Sequence, residues 1–242
     1  MEAFVKTDVG KLRDINEDYY YISNPEDEIQ VFILADGMGG YNGGEVASRL
    51  ATTTALSYIK SNFQNIPKEK EDILNLIKSA MEYANMVVYE KSNEDKELEG
   101  MGTTLEVSLI YNNRIYIGHA GDSRIYRIRR NFIRKLTRDH SYVQKLVKDG
   151  TITEEQARNH PKKNMLVKAL GCTPFLEPDV TVKGFMKDDI ILMCSDGLSN
   201  MLKDEEIFEI IKAQGTQSAE KLVENANENG GYDNITAVVI IR

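Results

Sequence analysis

Apolar runs of strand length, each ending against a single aspartate and a glycine, constrain this chain more than any other feature. Val31-Phe32-Ile33-Leu34-Ala35 runs into Asp36-Gly37-Met38-Gly39-Gly40, and Ile190-Ile191-Leu192-Met193-Cys194-Ser195 runs into Asp196-Gly197. In Ile115-Tyr116-Ile117-Gly118-His119-Ala120-Gly121-Asp122 the glycine precedes the acid. A mirrored version sets Gly230-Gly231-Tyr232-Asp233-Asn234 ahead of Ile235-Thr236-Ala237-Val238-Val239-Ile240-Ile241. Such runs read as buried strands, so each aspartate is expected at a strand end on a tight, glycine-assisted turn. Carboxylates on rigid strand ends suit hard cations, which take oxygen ligands. One Asp-Gly pair is an ordinary turn; four strand-end acids in one chain ask for a shared explanation.

The elements between these runs set the fold class. A strand is expected around Phe4, a polar loop from Arg13 to Asp18, and strands over Tyr19–Ser23 and Gln30–Ala35. A helix starting near Gly44 places Val46, Leu50, Ala55, Ile59 and Phe63 on one apolar face. A second helix after Pro67 carries Ile73, Leu76, Ile77, Ala80, Ala84, Val87 and Val88, and the charged stretch Ser92 to Glu99 reads as a solvated loop. Strands follow over Thr103–Ile110, Arg114–His119 and Arg124–Arg129, with Asn112-Asn113 as a hairpin turn. From Arg138 to Ala169 small helices are expected: Ser141 with Gln144 and Thr153 with Gln156 match the capping box, and Gly150 is a helix stop. The last quarter reads as strand, a helix capped by Asp204, a second helix (Ala219, Leu222, Val223, Ala226), and a terminal strand. Strands joined by short turns, with helices in pairs, predict an α+β fold: two antiparallel sheets in a sandwich with helices outside. A doubly wound parallel sheet would need a helix after nearly every strand.

Composition narrows the function. The 242 residues can bury a substantial core, and a net charge of −8 argues against nucleic acid as a partner. No apolar run approaches a membrane span, Met1-Glu2-Ala3 opens no signal peptide, and the two cysteines form no disulfide framework. A cytoplasmic, monomeric protein with both cysteines reduced is expected, with Cys194 packed in a strand. Asp36, Asp196 and Asp233 could share a pair of Mg²⁺- or Mn²⁺-type ions, with a backbone carbonyl at Gly37 completing one shell. Two such ions lower the pKa of a water and neutralise a phosphoryl group. Arg13, ahead of Asn16-Glu17-Asp18, offers a planar fork for phosphate.

These stretches also resemble a known family. Arg13-Asp14-Ile15-Asn16-Glu17-Asp18, Ala35-Asp36-Gly37-Met38-Gly39-Gly40, Gly121-Asp122-Ser123-Arg124, Ser195-Asp196-Gly197-Leu198 and Gly231-Tyr232-Asp233-Asn234-Ile235-Thr236 occur in this order. Together they resemble the metal-dependent protein phosphatases of the PPM (type 2C) family in its compact bacterial form. The resemblance implies one domain over residues 1–242, a central β-sandwich flanked by helix pairs, and a small helical flap over about 138–169. It implies hydrolysis of phosphoserine and phosphothreonine on proteins with two Mn²⁺ or Mg²⁺ ions and a third. A metal-bridging hydroxide would attack phosphorus directly, with no phosphoenzyme, opposing a bacterial Ser/Thr kinase. Carried over, Asp36 would bridge two ions, the Gly37 carbonyl would bind the second, and Asp196 and Asp233 the first. Glu17, Asp18 and Asn234 would sit behind these ligands, Glu17 through water. Asp122 would hold the third ion with Asp196, and Arg13 would grip phosphate. The flap segment would contribute Asp139, His140, Ser141, His160 and Asn164. Tyr41 after Gly40 and Val167-Lys168 before Ala169-Leu170-Gly171 depart from patterns common among bacterial members, whereas Met38, where animal relatives carry histidine, is shared by bacterial ones.

Other phosphatase chemistries find no motif. Six residues beyond Cys172 and Cys194 stand Pro178 and Asn200, not the arginine of a cysteine-dependent enzyme. Asp36-Gly37-Met38 lacks the second acid of a covalent aspartyl mechanism, no phosphate-binding loop ends in Gly-Lys-Ser/Thr, and His119, His140 and His160 lack zinc spacing. The basic stretch Arg124, Arg127, Arg129, Arg130, Arg134, Lys135 and Arg138 reads as a solvated strand edge or as a docking surface for acidic segments.

Overall fold

A computed structural model describes residues 1–39 and 43–242, so Gly40 and Tyr41 lie outside the described residues. One sheet runs in the order β1 (Glu2–Asp8), β11 (Ile235–Ile241), β10 (Ile190–Cys194), β7 (Arg124–Arg129) and β8 (Phe132–Lys135). The other runs β2 (Asp18–Ile22), β3 (Gln30–Met38), β5 (Leu105–Tyr111), β6 (Arg114–Ala120) and β9 (Asp179–Gly184), with the short β4 (Gly102–Thr103) paired to the end of β3. All of these pairings are antiparallel.

The central strands β3, β10 and β11 are near-continuous apolar runs because both of their faces are covered. Phe32 and Leu34 of β3, Ile115 and Ile117 of β6, Ile191 and Met193 of β10, and Val238 and Ile240 of β11 fill the layer between the sheets. The alternate residues point outward. Val31, Ile33 and Ala35 pack on α1 (Gly43–Asn62) and α2 (Lys70–Glu94). Leu192, Cys194 and Val239 pack on α6 (Asp204–Gln214) and α7 (Ser218–Glu228). Among the described residues no helix is long and apolar enough to cross a membrane.

Several local expectations shift. The deep seam of α1 is Ala47, Ala51, Ala55 and Ile59, joined by Ser48 and Thr52. Small side chains at that spacing bring the helix close to the sheet, which leaves Val46 and Leu50 half-buried. Helix α2 continues through Ser92, which is buried and bonded to the Leu98 carbonyl, so the expected loop is shorter than its charge implied. Asp204 does not cap α6: Lys203 holds that position, and the Asp204 carboxylate accepts the Tyr126 hydroxyl instead. The edge strands β8 and β9 carry little strand signal, because β8 is four residues long with two of them basic and β9 alternates with polar residues. The Asn112-Asn113 turn has φ of 47° and 59°, the left-handed pair that suits a tight hairpin. In the 138–169 region α3 (Tyr142–Lys148) and α4 (Glu154–Arg158) form as expected. The capping box at Thr153 is complete, whereas the Gln144 side chain turns to Glu154 and leaves Ser141 with half of its box.

Candidate metal centre

The aspartates gather because the inward-facing rows of the two sheets change from apolar to acidic at one end of the sandwich. Asp36 continues the row of Phe32 and Leu34, and lies directly across the β2–β3 ladder from Asp18. It sits inside β3 rather than after it, since Gly37 and Met38 go on to pair with β4. Asp122 occupies the turn between β6 and β7, Asp196 opens the one-turn helix α5 (Asp196–Ser199), and Asp233 precedes β11. A cavity of about 280 Å³ is lined by Glu17, Asp36, Asp122, Asp196 and Asp233, with Arg13 at its rim and Gly37, Thr104 and Asn164 completing the wall.

Hydrogen bonds fix most of these acids or their backbone. Asp18 Oδ2 accepts from Ser195 Oγ at 2.8 Å and Thr236 Oγ1 at 2.6 Å. Asn234 Oδ1 accepts the Glu17 N–H at 2.8 Å, while its amide donates to the Val9 and Ile15 carbonyls, which clamps the N-terminal loop. Thr104 Oγ1 accepts the Asp36 N–H at 2.9 Å. Asn200 Nδ2 donates to Asp196 Oδ2 at 3.0 Å. Arg13 Nη2 donates to Asp233 Oδ2 at 2.9 Å. Gly37 must be glycine: a Cβ there would run into the Gly44 carbonyl and stand 2.6 Å from the Glu17 carbonyl. This close approach lets the loop, β3 and the start of α1 meet behind the cavity.

The electrostatics are those of crowded like charges. Burial pushes the Asp36 carboxyl well above its ordinary value, and the charges of Asp18, Asp196 and Asp122 push it further. Burial and then Asp196 do the same to Asp122, against the pull of Arg124. Asp196 is raised to about 6 by burial and Asp233. Asp18 is raised to about 7 by burial, although its two hydroxyl donors oppose the shift. Burial also raises Glu17, with Arg13 opposing. Closely placed carboxylates cannot all ionise without a compensating cation.

The residues fit divalent cations in donor type and charge. Hard oxygen donors predominate; among the described residues Arg13 is the one basic side chain lining the cavity, and Glu17 Oε1 and Asp18 Oδ1 are buried without a hydrogen-bond partner. Among the described residues no three Asp, Glu, His or Cys side chains already close around a single point. The match is therefore of charge and chemistry around a shared cavity, with Asp233 turned toward Arg13.

Of the flap residues, Asn164 reaches this cavity. Asp139 and Ser141 line a neighbouring cavity of about 330 Å³ under the flap, which shares Asp122 and Asp196 with the first. Asp139 is bound by Arg124 Nη2 at 2.7 Å and Lys135 at 3.3 Å. His140 lines neither cavity; it stacks on His119 with ring centroids 4.4 Å apart and approaches Asp179 at 3.3 Å. His160 accepts from the Lys162 N–H, away from the acids. Sequence reasoning passed over Thr104, Asn200 and the buried pair of Glu106 and His119, 2.8 Å apart. Asn200 stands two residues beyond a motif and Thr104 in none, and both belong to common residue types, so nothing marked them. Glu106 carried a signal, a lone acid in an apolar strand.

Comparison with known proteins places this geometry among phosphatases. The family model described as protein phosphatase 2C matches residues 13–229. The serine/threonine phosphatase stp of Listeria monocytogenes is 37% identical over 244 residues, covering 100% of this chain and 96% of the relative. The crystal structure of serine/threonine phosphatase Stp1 from Staphylococcus aureus superimposes with a TM-score of 0.90 at 34% identity, covering 100% of this chain and 94% of that one. The catalytic domain of the serine/threonine protein phosphatase PstP, solved in complex with two manganese ions, gives 0.84 at 35% identity, with 98% and 96% covered.

Proposed function

The chain belongs to the protein phosphatase 2C family and is a metal-dependent serine/threonine protein phosphatase; on that premise we propose that its carboxylate cavity holds two Mn²⁺ or Mg²⁺ ions and hydrolyses phosphoserine and phosphothreonine by direct displacement, without a phosphoenzyme. Asp36 would bridge the two ions, Asp196 and Asp233 would hold one, and the Gly37 carbonyl the other. Asp122 with Asp196 would serve a third. Such ions supply Lewis acidity, which activates water and neutralises charge on phosphorus.

The chain's own groups account for the remaining work. Arg13 is half-exposed at the rim and bonds Asp233 through Nη2, so the rest of its fork is open to phosphate oxygens. Glu17 and Asp18, held by Asn234, Ser195 and Thr236, fix the ligands from behind. The described cavity wall contains no Cys, His or Ser, and the Thr104 hydroxyl is engaged with the Asp36 N–H and Ser123. That wall supports water as the nucleophile. The leaving alkoxide takes its proton from water or a nearby acid. We read residues 1–242 as one domain, with the flap over about 138–169, acting as a cytoplasmic monomer against the products of a Ser/Thr kinase. The bacterial Ser/Thr phosphatases among its relatives support this setting.

The observation that carries this reading is the convergence of five acids and one arginine on a single cavity. Phosphate release from a phosphothreonine peptide with Mn²⁺, with and without EDTA, tests it. Asp36→Asn and Asp233→Asn should each lose more than about 100-fold in kcat/KM. EDTA-resistant release, or an active Asp36→Asn variant, would overturn the assignment.

A further inference from the structure

The basic stretch of the sequence divides in the structure. Arg124 and Lys135 turn toward Asp139 at the acidic end of the sandwich. Arg127, Arg129, Arg130 and Arg134 gather with Lys187 at the other end, around a cavity of about 590 Å³. Only two acids share that cavity, Asp188 and Asp189. Asp189 is already used: Arg129 Nε and Nη2 each donate to it at 2.6 Å. Two apolar side chains stand at the same place, Phe132 at 75% and Met186 at 57% exposure.

We propose that this cavity is a docking site for an acidic, extended segment of the phosphoprotein substrate, remote from the phosphorylated residue. The proposal rests on the chain acting on phosphoproteins at its carboxylate cavity. Several independent observations support it. Arg127 donates to the Gly184 carbonyl through Nη1, but its Nε is buried without a partner. Desolvation and the neighbouring charges of Arg129 and Arg134 hold its guanidinium below the ordinary range, a tension that an anion relieves. Arg130 occupies the β7–β8 turn at φ 54°, a conformation that glycine or asparagine adopts at lower cost. Basic residues on an edge strand deter strand-to-strand pairing. That role alone requires neither a concave cavity nor an exposed phenylalanine and methionine beside it. Acidic side chains interleaved with an apolar one match this lining.

A peptide fits better than a polyanionic surface. The chain as a whole carries −8, so a membrane or nucleic acid reaching past the patch meets like charge. The geometry also fixes a spacing. From Asp122 to Arg129 the chain runs seven residues, mostly along β7, or about 23 Å at roughly 3.3 Å per residue. A substrate tethered here therefore needs about seven extended residues between its acidic segment and its phosphothreonine.

Three phosphothreonine peptides with the same phosphosite test this: one without an acidic segment, one with a Glu/Leu-rich segment eight residues away, and one with it two residues away. The wild-type enzyme with Mn²⁺ should show a KM about tenfold lower for the eight-residue spacing alone, at unchanged kcat. Arg130→Glu with Arg134→Glu should erase that difference and leave para-nitrophenyl phosphate turnover intact. Fluorescence anisotropy with the unphosphorylated acidic peptide reads the docking without turnover. Its binding should weaken with salt and be lost in the double variant. Equal KM for the three peptides, anisotropy unmoved by charge reversal, or tighter binding to phosphatidylglycerol vesicles than to the peptide would each overturn the proposal. Failure of all three peptides to release phosphate would strike the active-site reading instead, and the anisotropy titration would still decide the docking site.

Discussion

Asp189 and Asp196 flank the same strand, β10, and their surroundings are opposites. Asp189, 1% exposed in its side chain, is held by Arg129 at 2.6 Å and by the Met186 N–H at 2.7 Å. Burial alone would raise its pKa; the hydrogen bonds from Arg129 and Met186 outweigh burial and hold it below the ordinary value. Asp196 has the Asn200 side-chain amide as a donor, and burial followed by the charge of Asp233 raises it to about 6. One strand thus ends in a satisfied ion pair and in an unsatisfied cluster. The satisfied pair ties β7 to the loop ahead of β10. The cluster spends stability on charge that only a cation can balance, the signature of a site built for function.

Neutralising the acid at the cluster end should produce the largest effect, with opposite signs for activity and stability. Asp196→Asn is expected to lose more than about 100-fold in kcat/KM with Mn²⁺. In EDTA the same variant should be more stable than wild type. The folded pKa of about 6 lies above the ordinary 3.8, so ionising Asp196 costs nothing below pH 3.8. That cost grows between the two values and is complete above about 6. At pH 7.5 the asparagine removes all of it, and Tm should rise by several degrees, at about 2–4 °C per kcal/mol for a chain of this size. A variant that melts lower in EDTA would mean the cluster is not under electrostatic tension, and the contrast with Asp189 would fail.

The two ends were unequally legible in the sequence. At the acidic end each aspartate is announced by an apolar run, and the period of two that separates Phe32 and Leu34 from Val31 and Ile33 also carries Asp36 inward. Asp36 lies within β3, but the sandwich, both helix pairs and the other three strand-end acids followed from such patterns. The supports behind them did not. Thr104 and Asn200 act through side-chain hydrogen bonds that no periodicity encodes. Nor did the sequence show that Arg13 rests on Asp233, an ion pair across 220 positions. At the basic end the clustering of arginines was visible but its division was not. Arg124 meets Asp139 and Arg129 meets Asp189 from opposite ends of the one strand β7, partners that the spacing of the arginines does not reveal.

A smaller effect, confined to stability, is expected from Asp189→Asn. Arg129 loses its anion, at a cost of about 1–3 kcal/mol near pH 7, while para-nitrophenyl phosphate turnover stays within about twofold of wild type. Because the folded pKa of Asp189 lies below the ordinary 3.8, its contribution is complete above that pH and disappears as pH falls through the folded value. Denaturant melts of wild type and variant should therefore converge at the acid extreme. A gap that persisted there would locate the loss in packing rather than in the ion pair.

The finest probe is Asn200→Ala, which removes the one side-chain amide that orients Asp196. Asn200 is exposed, so water can replace its donor, and the loss should be one of pre-organisation rather than of charge. About a tenfold rise in the Mn²⁺ concentration for half-maximal activity is expected, with kcat at saturating Mn²⁺ within about twofold of wild type. Melting temperature in EDTA should hardly move, because the repulsion between Asp196 and Asp233 is unchanged. This separates orientation from tension within one carboxylate: Asp196→Asn relieves the tension and removes the ligand, whereas Asn200→Ala loosens the ligand and leaves the tension. Should kcat fall at saturating Mn²⁺ while the half-maximal concentration stays fixed, Asn200 would be acting on the phosphoryl group itself. The end of β10 would then supply a substrate contact as well as a ligand.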